Sequence, residues 1–122
     1  METIAKSLEK ILIDLEAIGG IEFSAIVSRQ GLLMGSKANN GNLKSDTFAA
    51  LTATLYSSAE STTTRLSKQK PKSIIVQTED KHLITYAATP EALIVVLVGK
   101  SDLINSILNE LQKSAERVRE FI

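Results

Sequence analysis

The chain has 122 residues, of which 43% are hydrophobic and 23% are charged, and this size and composition favour a single folded domain over residues 1–122. Fourteen Lys and Arg residues balance fourteen Asp and Glu residues, so no net charge attracts nucleic acid or an anionic membrane surface. Because the sequence has no cysteine, disulfides, thiolate metal sites and cysteine nucleophiles are excluded.

The first segment is predicted to be an amphipathic helix that ends at Gly19 and Gly20. Its apolar residues recur at spacings of three and four, as one face of a helix requires: Ile4, Leu8, Ile11, Leu12, Leu15 and Ile18. Charged residues interrupt the segment, so it lacks the apolar core of a signal peptide. The longest apolar run, residues 92–98, is shorter than the roughly 20 residues that cross a bilayer. We therefore expect a cytoplasmic protein without direct membrane insertion.

A β-hairpin is predicted next, because the apolar period changes from that of a helix to that of a strand. Alternate residues are apolar from residue 21, which indicates a strand that packs mainly on one face: Ile21, Phe23, Ala25 and Val27. Arg29, Gln30 and Gly31 supply a turn, and residues 32–36 return as a second strand.

A second helix is predicted from a cap at Ser45 or Asp46 to near Leu66. The remainder of the helix is rich in Ala, Ser and Thr. Its apolar stripe, which we expect to face the core, consists of Phe48, Leu51, Leu55, Ala59, Thr62 and Leu66.

Three further strands, at residues 73–78, 82–88 and 92–99, are separated by connections short enough for antiparallel hairpins. The last of them does not alternate, which predicts a central strand buried on both faces. Ser101 and Asp102 then cap a third amphipathic helix. The predicted order is αββαβββα, an α/β (α+β) fold with one five-stranded antiparallel sheet and helices on both of its faces.

No residue pattern indicates a catalytic, cofactor or metal site. The segment from Val98 to Ser101 resembles the end of a phosphate-binding loop, but Ile94 stands where that motif requires glycine. His82 is the only histidine, and we expect it to be an exposed hairpin residue without companion ligands. Arg65 is expected to be a solvated helix-end cation rather than an arginine finger.

The paired carboxylates are expected to be surface charges, because no cleft is indicated that would adapt them to acid–base catalysis. They are Glu79 with Asp80, and Glu116 with Glu120.

The chain resembles the roadblock/dynein light chain family over essentially its whole length. The segment from Gly20 to Gly35, GIEFSAIVSRQGLLMG, is similar to the first hairpin of that family, and it is followed by a helix of small residues and a three-strand tail. The resemblance implies that the last strand is central, that the first and last helices share one face, and that the middle helix lies on the other face. It implies no catalytic residue and no cofactor.

Family members commonly form dimers by pairing the third strand and the middle helix with their counterparts. Here the resemblance implicates the strand residues Ser73, Ile74, Ile75, Val76, Gln77 and Thr78. No proline or inward charge in this strand discourages edge pairing. On the middle helix it implicates one flank, consisting of Ala49, Ala53, Tyr56 and Glu60.

The resemblance further implies a non-enzymatic homodimeric regulator of a small Ras-like GTPase. One helix is too narrow to cover a five-stranded sheet face, so we expect the outward residues of the second helix to contact that partner: Ala50, Ser57, Ser61 and Thr64. Two alternatives remain, a nucleotide-independent scaffold subunit of a motor or membrane-associated complex and a small-ligand sensor domain.

Overall fold

The computed structural model describes residues 3–38, 45–99 and 104–122. The elements follow the predicted order αββαβββα: α1 (Ile4–Glu16), β1 (Ile21–Ser28), β2 (Leu33–Ala38), α2 (Ser45–Ser67), β3 (Ser73–Gln77), β4 (Lys81–Ala87), β5 (Ala92–Gly99) and α3 (Ile104–Val118). The predicted cap of α3 at Ser101 and Asp102 and the predicted loop at residues 39–42 lie outside the described residues. No described helix has the length and apolar character needed to cross a membrane.

The five strands form one antiparallel sheet in the order β2-β1-β5-β4-β3. β5 lies at its centre, and five successive residues from Ala92 to Val96 are buried. The prediction of a doubly covered central strand is confirmed, because consecutive strand residues point to opposite faces.

α1 and α3 lie together on one face of the sheet. Their buried residues, among them Ile11, Leu12 and Leu111, form one apolar cluster with Ile26, Ile84 and Ile94 of the strands. The two helices are also joined at the surface, where Arg117 Nη1 donates to Asp14 Oδ2 at 2.8 Å. This face therefore holds the larger part of the apolar core.

β1 departs from strict alternation near its start. Its register against β5 shifts between Ile21 and Phe23, which pair with the adjacent residues Val98 and Leu97. Ile21 consequently joins the α1–α3 cluster, whereas Phe23 packs on the face that carries α2. The prediction that these two residues share a face is wrong, because a bulge turns the strand between them.

α2 covers the opposite face alone and packs chiefly on β1 and β2. Ala49 and Tyr56 face the sheet, with exposed fractions of 0% and 2%, whereas Leu51 and Leu66 are 65% and 83% exposed. The predicted core stripe is therefore wrong at these two leucines and at Thr62, which is exposed as well. The small side chains beneath the helix let its backbone lie close to the strands, and the leucines point away.

Candidate functional site

β3 forms one edge of the sheet. It pairs only with β4 among the described strands, in a register that places Ser73 opposite Tyr86 and Gln77 opposite His82. The Ala87 amide donates to the Lys72 carbonyl and the Thr78 amide donates to the Lys81 carbonyl, both at 2.9 Å. Bonded and non-bonded pairs alternate in an antiparallel ladder, so the backbone groups of Ser73, Ile75 and Gln77 point outward from the sheet.

Thr78 lies one residue beyond β3 and closes the turn to β4. Its amide is already bonded to Lys81, and its hydroxyl accepts from the Lys81 amide at 3.2 Å. The predicted edge therefore ends at Gln77.

The face of β3 that lies on the α2 side is apolar. Ile74 and Val76 are opposite Thr85 and Leu83, and Leu83 packs against the cluster beneath α2. Ile74 and Val76 are only partly buried, because α2 lies chiefly over β1 and β2. An apolar strip thus continues from beneath the helix to the open edge. We call β3 together with this strip the β3 surface.

The structure places the predicted dimer flank of α2 inside the chain itself. Ala49, Ala53 and Tyr56 are buried against the sheet, and the Glu60 carboxylate pairs with Arg29 at 2.6 Å. The large apolar side chains of α2 that remain exposed are instead Leu51 and Leu66, and Leu55 is half-buried. Sequence reasoning missed them because it assigned the larger apolar residues to the core.

The predicted partner-binding residues lie together along the other flank of α2. Ala50, Ser57 and Ser61 line a groove of about 480 Å³ between the helix and the β1–β2 turn. Ser61 and Thr64 line a second groove of about 340 Å³ beside it. We call the two together the α2 groove.

The β1–β2 turn approaches α2 closely at Gly31. Its φ angle is +93°, and a Cβ atom there would lie 3.2 Å from the Ala50 Cα atom. A side chain at this position would be strained and crowded, so glycine lets the turn form one wall of the α2 groove.

Arg29 anchors the turn to α2, and sequence reasoning missed this role. Its guanidinium lies 4.5 Å from the centre of the Tyr56 ring, a distance typical of a cation–π contact. Its Nη2 donates to Glu60 Oε1 at 2.6 Å, and its Nη1 donates to the Pro90 carbonyl at 3.4 Å. Arg29 therefore joins the β1–β2 turn both to α2 and to the β4–β5 turn, which are distant from it in the sequence.

Tyr56 completes this cluster. Its hydroxyl donates to the Pro71 carbonyl at 2.9 Å, which ties α2 to the connection that follows it. Burial raises the pKa of the Tyr56 phenol, while the Arg29 cation lowers that pKa and the Glu60 carboxylate raises it. The neutral phenol is therefore the form that the folded chain favours.

His82 is buried, and the prediction of an exposed hairpin residue is wrong. It lies in β4 opposite Val98 and Gln77, and the period of that strand turns it toward the helices α1 and α3. Of the two residues that follow β5 in the phosphate-loop-like segment, Lys100 and Ser101, neither lies within the described part of the chain. Within the described part no three His, Asp or Glu residues are grouped to hold a metal ion.

The charged residues that were expected to be solvated are exposed. Arg65 lies in the last turn of α2 and lines the smaller part of the α2 groove. The four carboxylates Glu79, Asp80, Glu116 and Glu120 are exposed as well.

The sheet order and the placement of one helix against two define a roadblock-type α/β domain. The sequence pattern of the Roadblock/LC7 domain matches residues 8–98, and the chain belongs to that family. Domains of this family are generally regulatory or scaffold modules without catalysis. No curated protein sequence matches this chain significantly.

Solved structures with the same fold include three bacterial proteins. The chain is 13% identical to Myxococcus xanthus MglB, with a TM-score of 0.90 over 99% of this chain and 92% of that one. It is 15% identical to the gliding protein MglB of Thermus thermophilus, with a TM-score of 0.88 over 99% and 92%. A Roadblock/LC7 domain of Streptomyces avermitilis is 19% identical, with a TM-score of 0.85 over 93% and 95%.

Proposed function

We propose that this chain is a non-enzymatic homodimeric regulator that binds a small Ras-like GTPase and modulates its nucleotide cycle or its localisation. It acts as one roadblock domain over residues 1–122, and we place it in the cytoplasm. The observation that carries the proposal is the coexistence, in a Roadblock/LC7 domain, of an open apolar strand edge and a separate groove along α2. One surface suits a second copy, and the other suits a different partner.

The β3 surface supports the dimer. Ile75 is 44% exposed, and the outward backbone groups at Ser73, Ile75 and Gln77 can bond to a second β3 running antiparallel. Leu51, Leu55 and Leu66 extend the apolar area onto α2. Pairing two such edges would continue the sheet across both copies and remove apolar side chains from water.

The α2 groove supports the GTPase partner. Its lining is small and polar at Ala50, Ser57 and Ser61, so the backbone of another protein can approach the helix closely. Short side chains also lose little conformational freedom on binding. The Arg29 anchor holds the turn that forms the opposite wall, so the groove is formed before a partner binds.

The test compares binding of the purified chain to a Ras-like GTPase from the same source, loaded with a GTP analogue or with GDP. We expect measurable binding that depends on the nucleotide. Equal binding to both forms supports a nucleotide-independent scaffold instead. A chain that hydrolyses GTP or ATP by itself contradicts the proposal.

A matched pair of variants assigns the surface. Ser57→Trp fills the α2 groove and is expected to weaken GTPase binding at least tenfold, about 1.4 kcal/mol. Asn109→Trp places the same side chain on the exposed surface of α3, away from both α2 and β3, and serves as the control. If both variants bind the GTPase as the unmodified chain does, the partner does not dock in this groove.

A further inference from the structure

A second cavity lies at the end of the sheet where four separate segments meet. Its volume is about 460 Å³, and it is bounded by the β1–β2 turn, the α2–β3 connection, the β4–β5 turn and the end of the chain after α3. Its lining carries four cationic side chains and one carboxylate: Arg29, Lys70, Lys72, Arg119 and Glu60. We call it the basic pocket.

The protein holds the walls of the basic pocket in place through side-chain hydrogen bonds. Arg119 Nε donates to the Ala88 carbonyl at 2.8 Å, which holds that guanidinium against the β4–β5 turn. The Tyr56 hydroxyl donates to the Pro71 carbonyl at 2.9 Å. Pro71 separates Lys70 from Lys72, so both lysines extend from a segment that is tied to α2 and stiffened by a proline ring.

The charge of the basic pocket is unbalanced. Glu60 is the only carboxylate among the described side chains that line it, and it pairs with Arg29 at 2.6 Å. Among the described groups, Lys70, Lys72 and Arg119 are opposed in this cavity only by the main-chain carboxylate of Ile122, which leaves an excess of positive charge. Since the whole chain has as many acidic as basic residues, this concentration of positive charge is local.

One further carboxylate lies nearby. Glu116 lines a neighbouring cavity of about 260 Å³ together with Lys72 and Arg119. It competes for these two cations from outside the basic pocket and weakens their attraction for an anion inside it.

We infer that the basic pocket binds the phosphoryl group of a small phosphorylated molecule. Three cations from two different segments match a group with several charged oxygens better than a single carboxylate, and arginine binds phosphate through paired hydrogen bonds. The volume is in the range of small-molecule sites, about 300–1,000 Å³, which favours a compact ligand over an acidic peptide. This inference does not depend on the proposed GTPase partner.

The test is calorimetric titration of the purified chain with inorganic pyrophosphate at low and at moderate ionic strength. Lys70→Gln/Lys72→Gln is expected to weaken binding at least tenfold. Lys6→Gln/Lys113→Gln removes the same charge from the exposed surfaces of α1 and α3 and is expected to bind as the unmodified chain does. Absence of binding to the unmodified chain, or an equal loss in both double variants, overturns the inference.

Two further variants separate a built site from a diffuse positive field. Arg119→Lys retains the charge but loses the bond to the Ala88 carbonyl and the paired donors, so we expect several-fold weaker binding. Glu116→Gln is expected to tighten binding by two- to threefold. Unchanged affinity in Arg119→Lys, or tighter binding of a hexaglutamate peptide than of pyrophosphate, contradicts the assignment.

Discussion

The two faces of the sheet are built from different kinds of residues. Under α1 and α3 the buried side chains are large and aliphatic, such as Ile11, Leu12 and Leu111. Under α2 the buried cluster is small, with Ala25, Val27, Ala49 and Val95 at its centre. Two helices cover the first face, whereas one helix covers part of the second and exposes leucines of its own. The first face therefore holds most of the buried apolar core, whereas the second leaves apolar surface exposed.

The largest effect is expected on the first face. Leu111→Ala deletes a fully buried side chain and should lower the free energy of unfolding by about 2–5 kcal/mol, as such cavities do. Urea unfolding followed by circular dichroism measures it. Leu32→Ala, at a residue of the β1–β2 turn that is 67% exposed, is the matched control and should change stability by less than about 0.5 kcal/mol. Equal losses of stability in the two variants would contradict the assignment of the stabilising core to the first face.

The second largest effect on stability is expected at the Arg29–Glu60 pair, which joins the β1–β2 turn to α2. Arg29→Ala leaves the partly buried Glu60 carboxylate without its partner and should cost about 1–3 kcal/mol. Because the two side chains are in contact, the double variant Arg29→Ala/Glu60→Ala should lose less than the sum of the single variants. Additive losses in a double-mutant cycle would show that the interaction between Arg29 and Glu60 does not contribute to the free energy of unfolding.

The next effect is expected at β3, the open edge of the sheet. Ile75→Pro removes an outward amide and should raise the dimer dissociation constant at least tenfold, about 1.4 kcal/mol. Light scattering after size-exclusion chromatography measures the mass. Val76→Pro removes an amide that points toward β4, so it should destabilise the monomer as well. If the unmodified chain is monomeric at micromolar concentration, the dimer proposal is wrong.

The smallest expected effect is a loss of folding stability at alkaline pH. The folded chain raises the pKa of Tyr56 above its ordinary value of 10.0, so its contribution to stability is complete below that value and is lost as the pH rises through the folded-state pKa. Tyr56→Phe should remove this part of the alkaline loss. Thermal unfolding between pH 8 and about 11 compares the two chains, and Tyr86→Phe is the control. Identical pH profiles for the Tyr56 and Tyr86 variants would contradict the assignment.

The elements and the central position of β5 could be predicted from the sequence because they depend on local periodicity. The apolar run at residues 92–98 requires an interior position in a sheet that is covered on both faces. The orientation of α2 could not be predicted in this way. Its alanines and leucines are all apolar, and the choice between them depends on how closely the helix approaches the strands.

The role of Arg29 was also beyond sequence reasoning. Its partners Glu60 and Pro90 are 31 and 61 residues away, and no local pattern relates such positions. The bulge in β1 is similar, because it shows only when β1 is paired with β5. Local patterns in this sequence therefore predict each helix and strand. They do not predict how these elements are oriented relative to one another.

The central place of β5 also has a consequence for how the chain folds during synthesis. β1 lies between β2 and β5, so its inner edge stays unpaired until residues 92–99 have left the ribosome. The hairpin and α2 are made first, but they lack the strand that joins them to β4. Pairing of distant segments is slow compared with local folding. The domain should therefore fold cooperatively only after most of the chain has been synthesised.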